Sequence, residues 1–270
     1  TVGRDILHNQ FLCPSLDEFD LDGGTVIGQS AVCQIPLVSY QFGEGETSLV
    51  LVGGMHGGYE WNSILLAYTF LDYLRQNPET VPDSLNIIVI PNANPDGLYA
   101  VTRQTGRFTE DDVDEDAVPG RFNGNFVDLN RNWACEWTAN ATWQDNPVSG
   151  GAEPFSEPEN QRLRDFLLAA DPAAVLFLHS AAGGVYAAGC GQIDAASQIL
   201  ATVYSQASGY PQNDEFQHYN ITGDASNWLA MQGIPAITVE LSTHEAIDWR
   251  MNLAGLNALI DHIDSQAIDN

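Results

Sequence analysis

The sequence predicts a single α/β domain: a mixed, mostly parallel twisted central sheet with helices on both faces. Three observations predict it. Short, continuously apolar runs alternate with longer segments whose apolar residues recur at helical spacing. The runs lack the polar alternation of a half-exposed strand, as expected of strands covered on both faces. No Gly-, Pro- or Ser-rich linker divides the 270 residues, so residues 1–270 are read as one domain.

In chain order, residues 1–24 are irregular and acidic, and are expected to wrap the surface. Thr25 to Ser30 and Ile35 to Tyr40 read as a hairpin of edge strands. Leu49 to Val52 is a buried strand ending in two glycines. Residues 60–75 carry Ile64, Leu65, Ala67, Tyr68, Leu71 and Leu74 at helical spacing, and Asn77-Pro78 ends that helix. Leu85 to Ile90 is a second buried strand. Glu157 to Ala170 is an amphipathic helix, and Ala174 to Leu178 a third strand. Ala195 to Gly209 is another helix. Ser226 to Gln232 is a short helix closed by Gly233, and Ala236 to Leu241 is the strand after it. Residues 248–264 form the last helix.

Composition narrows the function. The net charge is −27, and all nine basic residues are arginines. Nucleic acid and anionic membrane are poor partners for such a chain, since both require a basic patch. No apolar run reaches the roughly 18 residues of a membrane span. The charge suits a salt-adapted, acidic or extracellular setting. Four cysteines, Cys13, Cys33, Cys135 and Cys190, allow three pairings.

Chemistry concentrates at the ends of the predicted strands. His56 and Glu60 follow the first buried strand, and Asn92 to Asp96 follow the second. His179-Ser180 follow the third, and Glu240 stands inside Thr-Val-Glu-Leu. Between them runs Asp128-Leu129-Asn130-Arg131-Asn132-Trp133. Sites in such sheets form at the carboxyl ends of the strands. Two histidines and a glutamate are a donor set for catalytic zinc, which needs three protein ligands and an open position for water. A carboxylate inside an apolar strand is costly without a role or a partner.

From about residue 25 to 250 these motifs resemble the zinc carboxypeptidases. The resemblance implies one zinc ion held by His56, Glu60 and His179, with Asp128 orienting His56. It implies Glu240 as general base, Arg121 polarising the scissile carbonyl, and Tyr219 as a mobile active-site phenol. Asn130 and Arg131 would bind the C-terminal carboxylate of a peptide, as a forked guanidinium and an amide can. The family places two residues between its first His and Glu; here Gly57, Gly58 and Tyr59 intervene, which implies a bulge or a shifted helix start that the glycines absorb. Asn227 also stands where the family has Asp before Trp228.

The stretch from Asn220 to Asn227 would line the specificity pocket. Its Asp224, with Ser226 beside it, implies a cationic terminal side chain, unless Asp224 simply caps the helix that follows. The preferred disulfides are Cys13–Cys33 and Cys135–Cys190. Six acids between Thr109 and Asp116 form a solvated loop or a calcium site. His244-Glu245 lacks the second histidine of a metalloprotease helix, and His8, His218 and His262 read as surface residues.

The expected protein is therefore a secreted or periplasmic zinc peptidase, a monomer whose partner is a peptide with a free C-terminus. Alternatives are an amidase of cell-wall γ-D-glutamyl-diaminopimelate peptides, a non-peptide amidohydrolase, and a non-catalytic binding module on the same fold.

Overall fold

The computed structural model describes residues 13–15, 19, 21–213 and 221–268. Most of the expected wrap at residues 1–24 lies outside them. Along the chain run β1 (Thr25–Gln29), β2 (Pro36–Phe42), β3 (Thr47–Val52), α1 (Trp61–Gln76), β4 (Leu85–Ile90) and α2 (Pro95–Thr102). A small hairpin follows, β5 (Asn140–Trp143) with β6 (Asn146–Ser149), then α3 (Pro158–Ala170), β7 (Ala174–Ser180) and β8 (Gly184–Ala187). The rest is α4 (Ala195–Ser208), β9 (Gln212–Asn213), α5 (Ala225–Met231), β10 (Ala236–Leu241) and α6 (Trp249–Ile268).

Eight strands form one sheet in the order β1-β2-β4-β3-β7-β10-β8-β9. Its centre, β4-β3-β7-β10, is parallel, and antiparallel strands β2 and β8 flank it. Side chains alternate between faces along each strand. Leu49, Leu51, Leu176, Leu178, Ile237 and Val239 face one core with α1, α4 and α6. Val50, Val52, Val175, Phe177 and Ala236 face a second core with Trp133, Trp228 and α3. His179 and Glu240 continue the second set by parity, so both emerge on the Trp133 face where the parallel strands end.

Local chemistry sets the helix ends. Asn94 caps α2 through Gly97 N at 3.0 Å, and Pro95 occupies its first turn. Asp194 caps α4 through Ser197 N at 2.7 Å. The predicted elements are present, with β7 two residues longer than expected, through His179 and Ser180. The sequence reading missed α2, the β5–β6 hairpin and β8. Pro95-Asp96-Gly97 reads as a turn until Asn94 is seen to cap it. β8 is four residues beginning with glycine, too short for a periodic signal.

Both expected disulfides are present, Cys13–Cys33 and Cys135–Cys190. Among the described residues no helix is long and apolar enough to cross a membrane.

Candidate metal centre and substrate pocket

β3 ends in Gly53-Gly54-Met55-His56. The chain then makes one 3-10 turn, Gly57–Glu60, before α1 begins at Trp61. That turn takes up the additional residue between His56 and Glu60. Gly57 makes it possible, with φ of +44° and a position where a Cβ would lie 2.6 Å from the Gly120 carbonyl oxygen. His179 arrives from β7, and the parallel register sets Glu240 of β10 directly beside it.

The three donors converge. His56 Nδ1 lies 2.7 Å from Glu60 Oε1, and His179 Nδ1 lies 2.8 Å from Glu60 Oε2. Candidate ligand atoms of all three residues fall within 4.8 Å of one another, and among the described residues no other such group of His, Cys, Asp or Glu forms. On the far side of its ring, His56 Nε2 is 3.2 Å from Asp128 Oδ1, which leaves Nδ1 facing the shared point. Two imidazole nitrogens and a carboxylate suit zinc, whose tetrahedron keeps a fourth position for water.

The loop at 109–116 does not gather its acids for calcium. Asp112 turns back on Thr109, accepting from its N at 2.7 Å and Oγ1 at 2.9 Å, and Asp116 accepts from Val118 N at 3.2 Å. Asp112 and Asp116 are thus spent on local turns, and among the described residues no three acids of the loop converge as a metal-binding group, so the calcium expectation does not hold.

Charge inside the site is balanced locally. Asp128 accepts from Arg121 Nε at 3.0 Å and from Asn130 N at 3.1 Å. Burial pushes the Asp128 carboxyl up, but Arg121, then His56 and Arg131, outweigh it and hold the group well below the usual range. For Glu60, burial raises and the two histidines lower, with a net fall. Glu240 moves the other way. Burial and then the Glu60 charge raise it, against His179 and a 3.2 Å bond from Ala182 N.

Arg121 is buried with its guanidinium on Asp128, and its Nη1 lies 3.8 Å from Glu60 Oε1. It lies under two rings the sequence did not flag, 4.5 Å from the centre of Trp143 and 5.6 Å from that of Tyr59. Trp143 comes from the missed hairpin. His244 packs on Tyr59 and sits 3.1 Å from Ser180 Oγ, while His262 contacts Gln266 at the surface.

A cavity of about 370 Å³ opens beside the metal centre, with His56, His179 and Glu240 in its wall and Asn130, Arg131 and Asp224 next to them. Arg131 is 1% exposed; its Nε donates to Thr142 O at 3.1 Å and its Nη1 to Asn130 O at 2.7 Å. Asn130 Oδ1 accepts from Ala225 N at 3.0 Å, and Nδ2 donates to Asp224 Oδ2 at 2.8 Å. Asp224 Oδ1 accepts from Ser226 Oγ at 2.6 Å and Asn227 N at 2.9 Å. Asp224 is thus the cap of α5 with both oxygens engaged, and the premise of an unpaired carboxylate awaiting a cation does not hold for it. Ser226 lines the same wall. Tyr219, Asn220 and His218 lie outside the described residues. Glu136 and Tyr186 also line the cavity and were not anticipated. The Cys135–Cys190 link was the one sequence signal that pointed towards Glu136.

A model of the family described as zinc carboxypeptidase matches residues 27–256. The inactive metallocarboxypeptidase ECM14 of Ajellomyces dermatitidis is 37% identical over 123 residues, 42% of this chain and 20% of that protein. The match thus spans about a fifth of the length of that curated relative. Among solved structures, bovine thrombin-activatable fibrinolysis inhibitor superimposes with a TM-score of 0.69 at 19% identity, covering 92% of this chain and 90% of that one. Murein-tripeptide amidase MpaA from Escherichia coli O157 gives 0.59 at 20% identity, covering 95% and 94%. These structural likenesses speak to the fold.

Proposed function

This chain belongs to the zinc carboxypeptidase family, and from that premise we propose that it removes C-terminal residues from peptides outside the cytoplasm. The reading is carried by the convergence of His56, Glu60 and His179, with Glu240 in register beside His179, at the wall of a cavity that also holds Asn130 and Arg131.

In this reading His56, Glu60 and His179 hold zinc, which when bound supplies a Lewis acid and a water of lowered pKa. Asp128 keeps His56 in the tautomer that presents Nδ1. Glu240 takes a proton from the attacking water and passes it to the leaving amine. Asn130 and Arg131 grip the terminal carboxylate. Arg121 pairs with Asp128 and offsets the acids behind the histidines, and its assignment to the scissile carbonyl comes from the sequence resemblance alone. Tyr219, assigned from sequence alone, adds a phenol from the segment before α5. Two disulfides support an oxidising compartment, secreted or periplasmic. Carboxylates on the cavity wall, together with the fold likeness to a murein-tripeptide amidase, favour a second reading, cell-wall peptides ending in diaminopimelate.

Some relatives are named inactive, so turnover is the decisive measurement. The zinc-loaded protein is expected to bind one equivalent of metal and to release terminal amino acids from unblocked peptides, cell-wall fragments included in the panel. Glu240→Gln should retain the zinc and lose about 10²–10⁴ in rate. Stoichiometric zinc with no release from any substrate would leave the binding-module reading standing.

A further inference from the structure

The cavity wall carries four formally charged side chains besides the histidines: Glu136, Arg131, Asp224 and Glu240. In the proposed function Arg131 is committed to the α-carboxylate and Glu240 to the proton. Asp224 is committed to Ser226, Asn227 and Asn130. Glu136 remains, with no hydrogen bond or ion pair among the described residues.

Its position is built rather than incidental. On one side, Cys135 O accepts from Gly223 N at 2.8 Å, and Cys135 is bonded to Cys190. On the other, Trp137 Nε1 donates to Gly150 O at 2.8 Å. Between these anchors Glu136 adopts φ of +47°, a conformation L residues seldom take, and this fixes where its side chain leaves the backbone. Opposite lies Gly191, and even an added Cβ there would stop 4.0 Å from Glu136 Oε1. Ala187, Ile193 and Ile221 supply an apolar strip in the same cavity.

We propose that Glu136 is the specificity determinant of this pocket, selecting a terminal side chain with an amine or guanidinium at the end of an aliphatic stem. The stem lies along Ala187, Ile193 and Ile221, and the cation meets Glu136. This rests on the carboxypeptidase reading and names its substrate class. Glu136 is exposed, so water and salt screen the pair. The selection is therefore modest, about fivefold at low ionic strength, and shrinks as salt rises. It acts on ground state and transition state alike, so it appears in KM and leaves kcat unchanged.

The test is kcat and KM at low salt for peptides identical except for a last residue of Lys, Arg, norleucine or Phe. The parent, Glu136→Gln, Asp224→Asn and Glu79→Gln are compared. Glu79 is an exposed acid on the turn Pro78–Thr80 and controls for loss of one negative charge. Expected are a parent preference for Lys and Arg, and a KM increase of about fivefold on those two substrates alone in Glu136→Gln. Glu79→Gln should behave as the parent, and Asp224→Asn should weaken all peptides alike. A parent preference for Phe or norleucine overturns the proposal, as does a Glu136→Gln variant that keeps the basic preference. So does a preference that disappears with Asp224→Asn alone. If the zinc-loaded protein turns over nothing, the catalytic reading fails and calorimetric binding decides the specificity. Gly-Lys must then bind the zinc-loaded parent more tightly than Gly-norleucine, and Glu136→Gln must remove the difference; equal affinities reject Glu136 as selector.

Discussion

Arg131 carries its charge almost wholly out of water, and two of its donors are already satisfied by the carbonyls of Thr142 and Asn130. A guanidinium held this firmly meets a substrate carboxylate with little further ordering. Arg131→Lys keeps the charge and loses the fork, so KM for peptides with a free C-terminus should rise about tenfold or more. Amidated peptides, if cleaved, should be unaffected; equal losses on both would assign Arg131 to structure. At this scale His56, His179 and Glu240 were legible as candidate site residues because they stand at or just beyond strand ends, where polar residues in apolar runs are conspicuous. The roles of Arg121 and Asp224 were less legible. Trp143 reaches Arg121 from a four-residue strand, and Asp224 meets Asn130 from 94 positions away. Such partners are set by tertiary packing, which leaves no periodic trace.

The elements that matter most to the pocket are the connections between strands and helices. Cys135–Cys190 ties the segment after the 3-10 turn Leu129–Arg131 to the loop after β8, across 55 residues of chain. Closing a loop of that length in the unfolded state corresponds to about 4 kcal/mol in the chain-entropy account. A Cys135→Ser/Cys190→Ser double variant should lose about that much in urea unfolding; a loss under about 1 kcal/mol would mean that residual structure in the unfolded chain already restrains the loop. Strands and long helices were readable from period and length. The hairpin at 140–149 and strand β8 were not, because four residues give too few repeats to distinguish a strand from a loop.

Across the molecule, acid dominates, and one buried acid couples folding to pH. Glu159 is 1% exposed, accepting from Ala31 N at 2.7 Å and Asn123 Nδ2 at 3.2 Å. Burial drives its carboxyl up to about 7, with nearby Asp96 adding to the rise and the hydrogen bonds opposing it. The folded state therefore holds this proton more tightly than the unfolded chain does. Stability is full below about pH 4.5 and declines as pH rises towards 7, by about 3 kcal/mol from this group. Glu159→Gln should flatten that part of the profile in denaturant titrations between pH 4.5 and 7; parallel profiles would show that Glu159 ionises normally. The sheet and its two covered faces were legible because they depend on composition and alternation. Glu159 was not, because its neighbours Ala31, Asp96 and Asn123 come from three other parts of the chain.

The single turn from Gly57 to Glu60 bears on how distant sequences are recognised. A ligand signature written as a fixed interval is a statement about backbone path, and here a tighter coil brings a glutamate one position later to the same imidazoles. A search that insists on two intervening residues would pass over Glu60, although its carboxylate meets both imidazoles here. The better signature is conditional: an interval of three counts when the first two intervening residues are glycine and a third glycine, such as Gly120, lies against them. Sequences set aside on spacing alone can be re-examined by that criterion.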